Sequence, residues 1–146
     1  MMTVAQMKEV LEDMENYSAV MVPHNNEFVY NIVSLRRGSE LNSEMKAAHE
    51  SSEEWQQPYD ASENVPEDSI LIRITDDGIG QEPSINVIEL RNILFAFEDH
   101  YKLYVIDCDG DLDEVMNVFD MNDVVMIATK VGWNDWVDSV KSNFKV

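Results

Sequence analysis

Sliding the chain against itself by 83 positions lays Thr3 to Leu35 over Asn86 to Val118 without a gap, and this self-similarity constrains the fold more than any other feature. Identities are few: Val4/Val87, Leu11/Leu94, Glu15/Glu98 and Val22/Val105. The apolar pattern repeats much more fully. Val4, Met7, Val10, Leu11 and Met14 fall opposite Val87, Leu90, Ile93, Leu94 and Phe97, each set spaced as one face of a helix. Both helices also begin alike. Thr3 with Gln6, and Asn86 with Glu89, place an acceptor at the N-cap and a reaching polar residue three positions on, which satisfies the first helical amides reciprocally.

A polar corner follows each helix, Glu15-Asn16-Tyr17-Ser18 or Glu98-Asp99-His100-Tyr101, and then an apolar run ending at Val22 or Ile106. These runs read as strands. A polar turn, His24 to Glu27 or Asp107 to Gly110, leads to a second strand over Phe28 to Leu35 or Leu112 to Phe119. Asp109-Gly110 signals a two-residue hairpin turn, because both residue types tolerate positive φ. Ile70 to Ile74 and Val124 to Ala128 supply a third strand to each copy. The expected architecture is therefore α+β: a duplicated helix-strand-strand-strand unit with an antiparallel sheet, plus a C-terminal helix. The units span 1–75 and 84–129, and the helix 130–146. One such unit is too small to bury a core alone, so the two are expected to share one.

Two segments stand outside the repeat. The acidic insert 36–68 is rich in Ser and Glu and poor in large apolar side chains, which predicts a solvated, mobile segment, with Leu41, Met45 and Ala48 able to face one side of a short helix. Trp55 and Tyr59 within it are candidate aromatic anchors for a partner. At the other end Trp133, Trp136, Val137, Val140 and Phe144 recur at helical spacing after Gly132, an aromatic stripe that reads first as core and second as a dimer interface.

Charge narrows the function. The 146 residues carry 29 Asp and Glu against 10 Lys and Arg, a net charge of −19. So negative a chain repels the polyanions whose neutralisation drives nucleic-acid binding, and repels anionic membranes, so direct contact with either is not expected. Charge-steered partners should be basic. From Asn92 to Thr129 the only Lys or Arg is Lys102, against Glu98, Asp99, Asp107, Asp109, Asp111, Asp113, Glu114, Asp120 and Asp123. Solubility alone asks for roughly 2 to 8 net charges, so this acidic stretch is the candidate partner-binding surface. Carboxylates on strands and helices can be spaced like phosphates, which makes imitation of nucleic acid one use for it; a merely solvated surface is the alternative.

Catalytic and metal chemistry find little support. An EF-hand loop counted from Asp107 needs Gly sixth and Glu twelfth, where this chain has Leu112 and Val118. His24, His49 and His100 share no zinc spacing, and Gly78-Ile79-Gly80 lacks the lysine of a nucleotide loop. Cys108, the single cysteine, sits among aspartates that suppress a thiolate, and by itself it permits no disulfide within the chain, which favours a reducing cytoplasm. The opening residues have no basic head followed by an apolar run. The expectation is a non-enzyme without cofactor or metal.

The opening Thr3 to Met14 followed by Ala19-Val20-Met21-Val22-Pro23, with its echo over Asn86 to Val118, resembles small acidic bacteriophage-encoded accessory proteins in which a capped helix leads into a β-hairpin. The resemblance is one of pattern, covers the two repeats, and carries no functional residue across. It implies a phage setting in the host cytoplasm. There the expected role is an inhibitor that occupies the nucleic-acid-binding surface of a basic host protein, a defence protein among others. A structural or assembly accessory protein that self-associates, as a homodimer for instance, is the second expectation.

Overall fold

A computed structural model describes residues 1–24, 29–51, 64–75, 84–107, 109–122 and 124–144. In chain order the elements are α1 (Val4–Glu12), β1 (Ala19–Pro23), β2 (Val29–Arg37), α2 (Gly38–Glu50), β3 (Ser69–Ile74), α3 (Val87–Leu94), β4 (Lys102–Ile106), β5 (Leu112–Asp120), β6 (Val124–Thr129) and α4 (Gly132–Phe144). Both expected capping boxes form. Thr3 Oγ1 accepts from the Gln6 amide while Gln6 Oε1 accepts from that of Thr3, and Asn86 and Glu89 do the same at the start of α3.

The six strands close into a barrel in sequence order, so each has two neighbours and no edge is left free. The sheet is mixed, which corrects the antiparallel expectation. Pairs β1–β2, β2–β3, β4–β5 and β5–β6 are antiparallel, whereas β3–β4 and β6–β1 are parallel. The reason is directional. A three-strand meander starts and ends in strands that run the same way, so two meanders placed head to tail around a closed ring meet in parallel pairs. The chain between β3 and β4 is accordingly a crossover carrying α3.

Register follows the 83-residue shift. Met21, Val22 and Pro23 pair with Asn31, Tyr30 and Val29, and Tyr104, Val105 and Ile106 pair with Glu114, Asp113 and Leu112. Each second strand is bulged at a matched place, between Ile32 and Ser34 and between Val115 and Asn117. Bridges outside the strands match too: Thr3 faces Lys102, and Asn86 faces Ala19. Each helix thus starts beside the first strand of the other half and leads back to its own. Both span the barrel end where β1 and β4 begin, packed on each other.

The interior is filled. Val20, Val22, Ile70, Ile72, Leu103, Val115, Val125 and Ile127 are fully buried with Val4, Met7 and Leu11 of α1 and Val87, Leu90 and Leu94 of α3 in one cluster. Alternation along the strands puts these residues inside and leaves the outer wall to the other face.

Within the insert, the described residues 36–51 and 64–68 are more structured than its composition suggests. Arg36 and Arg37 end β2, and the next residue starts α2, which lies on β2 and β3. Leu41 and Met45 are half-buried as the stripe predicts, but Ala48 is exposed, and the buried residues are Gly38 and Asn42. Asn42 anchors the returning chain, its Nδ2 donating to Val65 O at 2.8 Å and its Oδ1 accepting from Val65 N at 2.9 Å. Helix α4 forms as expected and packs on β6 and β1. Among the described residues, no helix is long and apolar enough to cross a membrane.

Candidate partner-binding surface

The acidic stretch passes through the corner after α3, the turn between β4 and β5, and β5 itself, and the fold gives its carboxylates different work. Glu98 accepts from Arg37 Nε and Nη2 at 3.3 and 3.2 Å, and Asp99 pairs with Lys8. Hydrogen bonding to Arg37 holds the Glu98 carboxyl below its ordinary range, and the same contact raises the guanidinium. Arg37 also donates to Ala96 O and lies over the Phe97 ring, so this pair ties the end of β2 to the corner after α3.

Asp107 sits just beyond β4. Its Oδ1 accepts from the amides of Asp109 and Asp111, each at 3.0 Å, and its Oδ2 lies 3.3 Å from His24 Nε2. His24 and Asp107 are themselves 83 positions apart. Residues matched by the repeat therefore meet at the barrel end opposite α1 and α3. The turn is not the two-residue form expected from Asp109-Gly110. Gly110 takes positive φ, at 84°. The loop closes instead through Gly110 N to Asp107 O and Asp107 N to Asp111 O, the wider arrangement in which one left-handed glycine ends the turn.

Asp113 points inward and is 8% exposed. Its two oxygens accept from Val131 N and Gly132 N at 3.0 and 2.8 Å, which caps α4 with a charge at the positive end of its dipole. A cavity of about 240 Å³ opens beside it, walled by His24, Asp107, Asp111, Asp113 and Asp135 together with Leu112, Val131 and Gly132. Oxygens of Asp107, Asp109 and Asp111 lie within 4.8 Å of one another. Asp107 already has both oxygens engaged, so this group offers two uncommitted carboxylates.

Of the predicted surface residues, then, Glu98 and Asp99 are paired locally, and Asp107 and Asp113 serve the turn and the cap. Asp109, Asp111 and Asp120 are exposed, and Glu114 is half-buried opposite Tyr104. Burial, with the Glu114 charge in support, pushes the Tyr104 phenol above its usual range. Asp123, Trp55 and Tyr59 lie outside the described residues.

The sequence reading did not single out the apolar side chains between these acids. Met116, the bulged residue of β5, is 46% exposed, and Phe119 is 37% exposed. The Phe119 ring meets Trp133 of α4 at 5.1 Å between centroids, and Trp133 meets Trp136 at 5.4 Å. Met116 also walls an open groove of about 450 Å³ with Met1, Met2, Gln6, Glu9 and Val10. The only advance signal was alternation along 112–120, which a bulge interrupts and so disguises. No family model, curated protein or solved structure matches the chain.

Proposed function

We propose that this is a non-catalytic acidic binding protein, built from a duplicated helix-strand-strand-strand unit, whose partner is a basic protein. In its specific form the proposal is a phage-encoded inhibitor, acting in the host cytoplasm, that occupies the nucleic-acid-binding surface of a host defence or nucleic-acid-handling protein. The observation that carries it is the uncompensated charge. The chain has a net charge of −19, and Lys8, Arg36 and Arg37 are already paired with Asp99, Glu44, Glu40 and Glu98. The remaining acids therefore set the surface potential, which steers basic partners and suppresses acidic ones. The barrel interior is packed with aliphatic side chains, so this reading puts function on the outside. The matched registers and bulges support the duplication.

The test is capture from a bacterial lysate at low salt, with elution by salt and by duplex DNA in separate arms. A basic nucleic-acid-binding protein released by both agents is the expected result. A partner that DNA does not displace would leave an acidic binder that is no mimic, and a partner indifferent to salt would end the electrostatic reading. Exposed Met116 and Phe119 favour a second reading, self-association in an assembly, for which sedimentation should show a concentration-dependent dimer.

A further inference from the structure

We infer that a pocket on the outer wall of the barrel, beside α2, binds a small monocarboxylate with an apolar body through Arg36 and Arg73. The assignment is independent of the basic-partner reading. The pocket measures about 200 Å³. Register builds its floor: Arg36 pairs with Leu71 and Arg73 with Ile106, and because Ile70, Ile72 and Ile74 turn into the core, these four side chains share the outer face. Leu71 is fully buried and Ile106 half-buried. Leu41 of α2, with Asp107 and Gly110 of the turn after β4, completes the lining.

Neither guanidinium is fully used by the fold. The neighbouring Arg37 gives both Nε and Nη2 to Glu98, but Arg36 meets Glu44 through Nη2, and its Nε is buried without an acceptor among the described residues. A buried donor left unpaired is costly, so an acceptor brought from outside is favoured there. Arg73 is exposed, and no side-chain hydrogen bond or ion pair holds it among the described residues.

The acids around the pocket decide which anion fits. Glu44 is spent on Arg36, and Asp107 gives one oxygen to two turn amides and the other to His24, but Asp109 and Asp111 stand exposed in the adjoining turn. Against that margin and a net charge of −19, a multiply charged phosphate is repelled on approach. A single carboxylate brings the least charge that still offers two oxygens to two guanidiniums. The leucine and isoleucine floor asks for an apolar body beside it. A cavity of roughly 150 Å³ accepts benzene, so this one has room for a ring or a short branched chain next to the carboxylate.

The test is titration of the intact, ¹⁵N-labelled chain followed by amide chemical shifts, with benzoate as the probe and benzyl alcohol and inorganic phosphate beside it, all at one ionic strength. Benzoate should give saturable shifts centred on 36, 41, 71, 73 and 106, and the other two should not. Arg73→Gln should weaken benzoate about tenfold, the loss of one charge-assisted contact, with Arg73→Lys losing less. Lys46→Gln on α2 changes the net charge equally at an exposed residue outside the lining and should leave binding unchanged. Arg73 is exposed, so its variants should fold, which the dispersion of the same spectra reports. No saturable benzoate shifts, or shifts centred elsewhere, overturn the site. Equal losses in Arg73→Gln and Lys46→Gln reduce it to overall charge and overturn it too. Benzyl alcohol binding as well as benzoate, or phosphate binding better, overturns the assigned ligand class.

Discussion

Asp113 shows how one side chain can look like surface in sequence and act as structure in the fold. It lies among acids along the chain, yet it is buried and caps α4 from a neighbouring strand. Asp113→Ala should lower unfolding free energy by about 1–2 kcal/mol, read from urea denaturation, because two amides lose their acceptor. Gly132 is constrained from the other side. A Cβ there would stand 2.8 Å from Thr129 Oγ1 and 3.0 Å from both His24 Nδ1 and Pro23 O, so Gly132→Ala should destabilise by about 1–3 kcal/mol in the same assay. The Arg37–Glu98 pair gives a pH dependence. Glu98 titrates below its ordinary value of 4.5 in the folded chain, so it binds protons less readily folded than unfolded. Its contribution is present above that value and lost as pH falls through the folded pKa. Arg37→Gln should therefore flatten the acid limb of the stability curve below about pH 5, whereas an unchanged limb would show that the pair contributes nothing there.

At the scale of elements, the legible parts were those written in local chemistry. The capping boxes of α1 and α3, the apolar runs of β1, β3, β4 and β6, and the half-buried Trp133, Trp136 and Val137 of α4 all follow from neighbours within a few residues, while the Val140 and Phe144 side chains of that stripe lie outside the described residues. Strand direction was not legible, since parallel or antiparallel pairing is decided by how two distant meanders meet, and no local residue encodes it. Helix α2 was underrated for a related reason. Its docking uses Gly38 and Asn42, where a small residue and a polar one replace the apolar stripe that reveals a buried helix. A Cβ on Gly38 would collide with Pro66 O and Ser69 Oγ, so Gly38→Ala should unseat the start of α2 from β3. The expected readout is a lower thermal midpoint with faster amide exchange over 38–50. Met116 and Val33 escaped notice because a bulge shifts the inside-outside alternation by one residue, which turns an apolar side chain from the expected core to the surface. The candidate surface was legible as charge and not as shape: the acids could be counted, but which of them the fold would consume could not.

For the whole molecule, the halves should not be stable apart. Each supplies three strands to one closed barrel, each helix begins beside the other half's first strand, and the core cluster draws on both. Unfolding in urea should be one transition by both fluorescence and far-ultraviolet circular dichroism, and fragment 1–75 should be unfolded alone. Two separated transitions would contradict that interdependence. The central claim is that the uncompensated negative charge recruits a basic partner, and capture on the intact chain across a salt series tests it most directly. The immobilised chain is exposed to bacterial lysate at low salt and then washed in steps of rising ionic strength. The account predicts a basic protein retained at low salt and released as the salt rises. Retention unchanged across the series, or no basic protein retained at low salt, would contradict it.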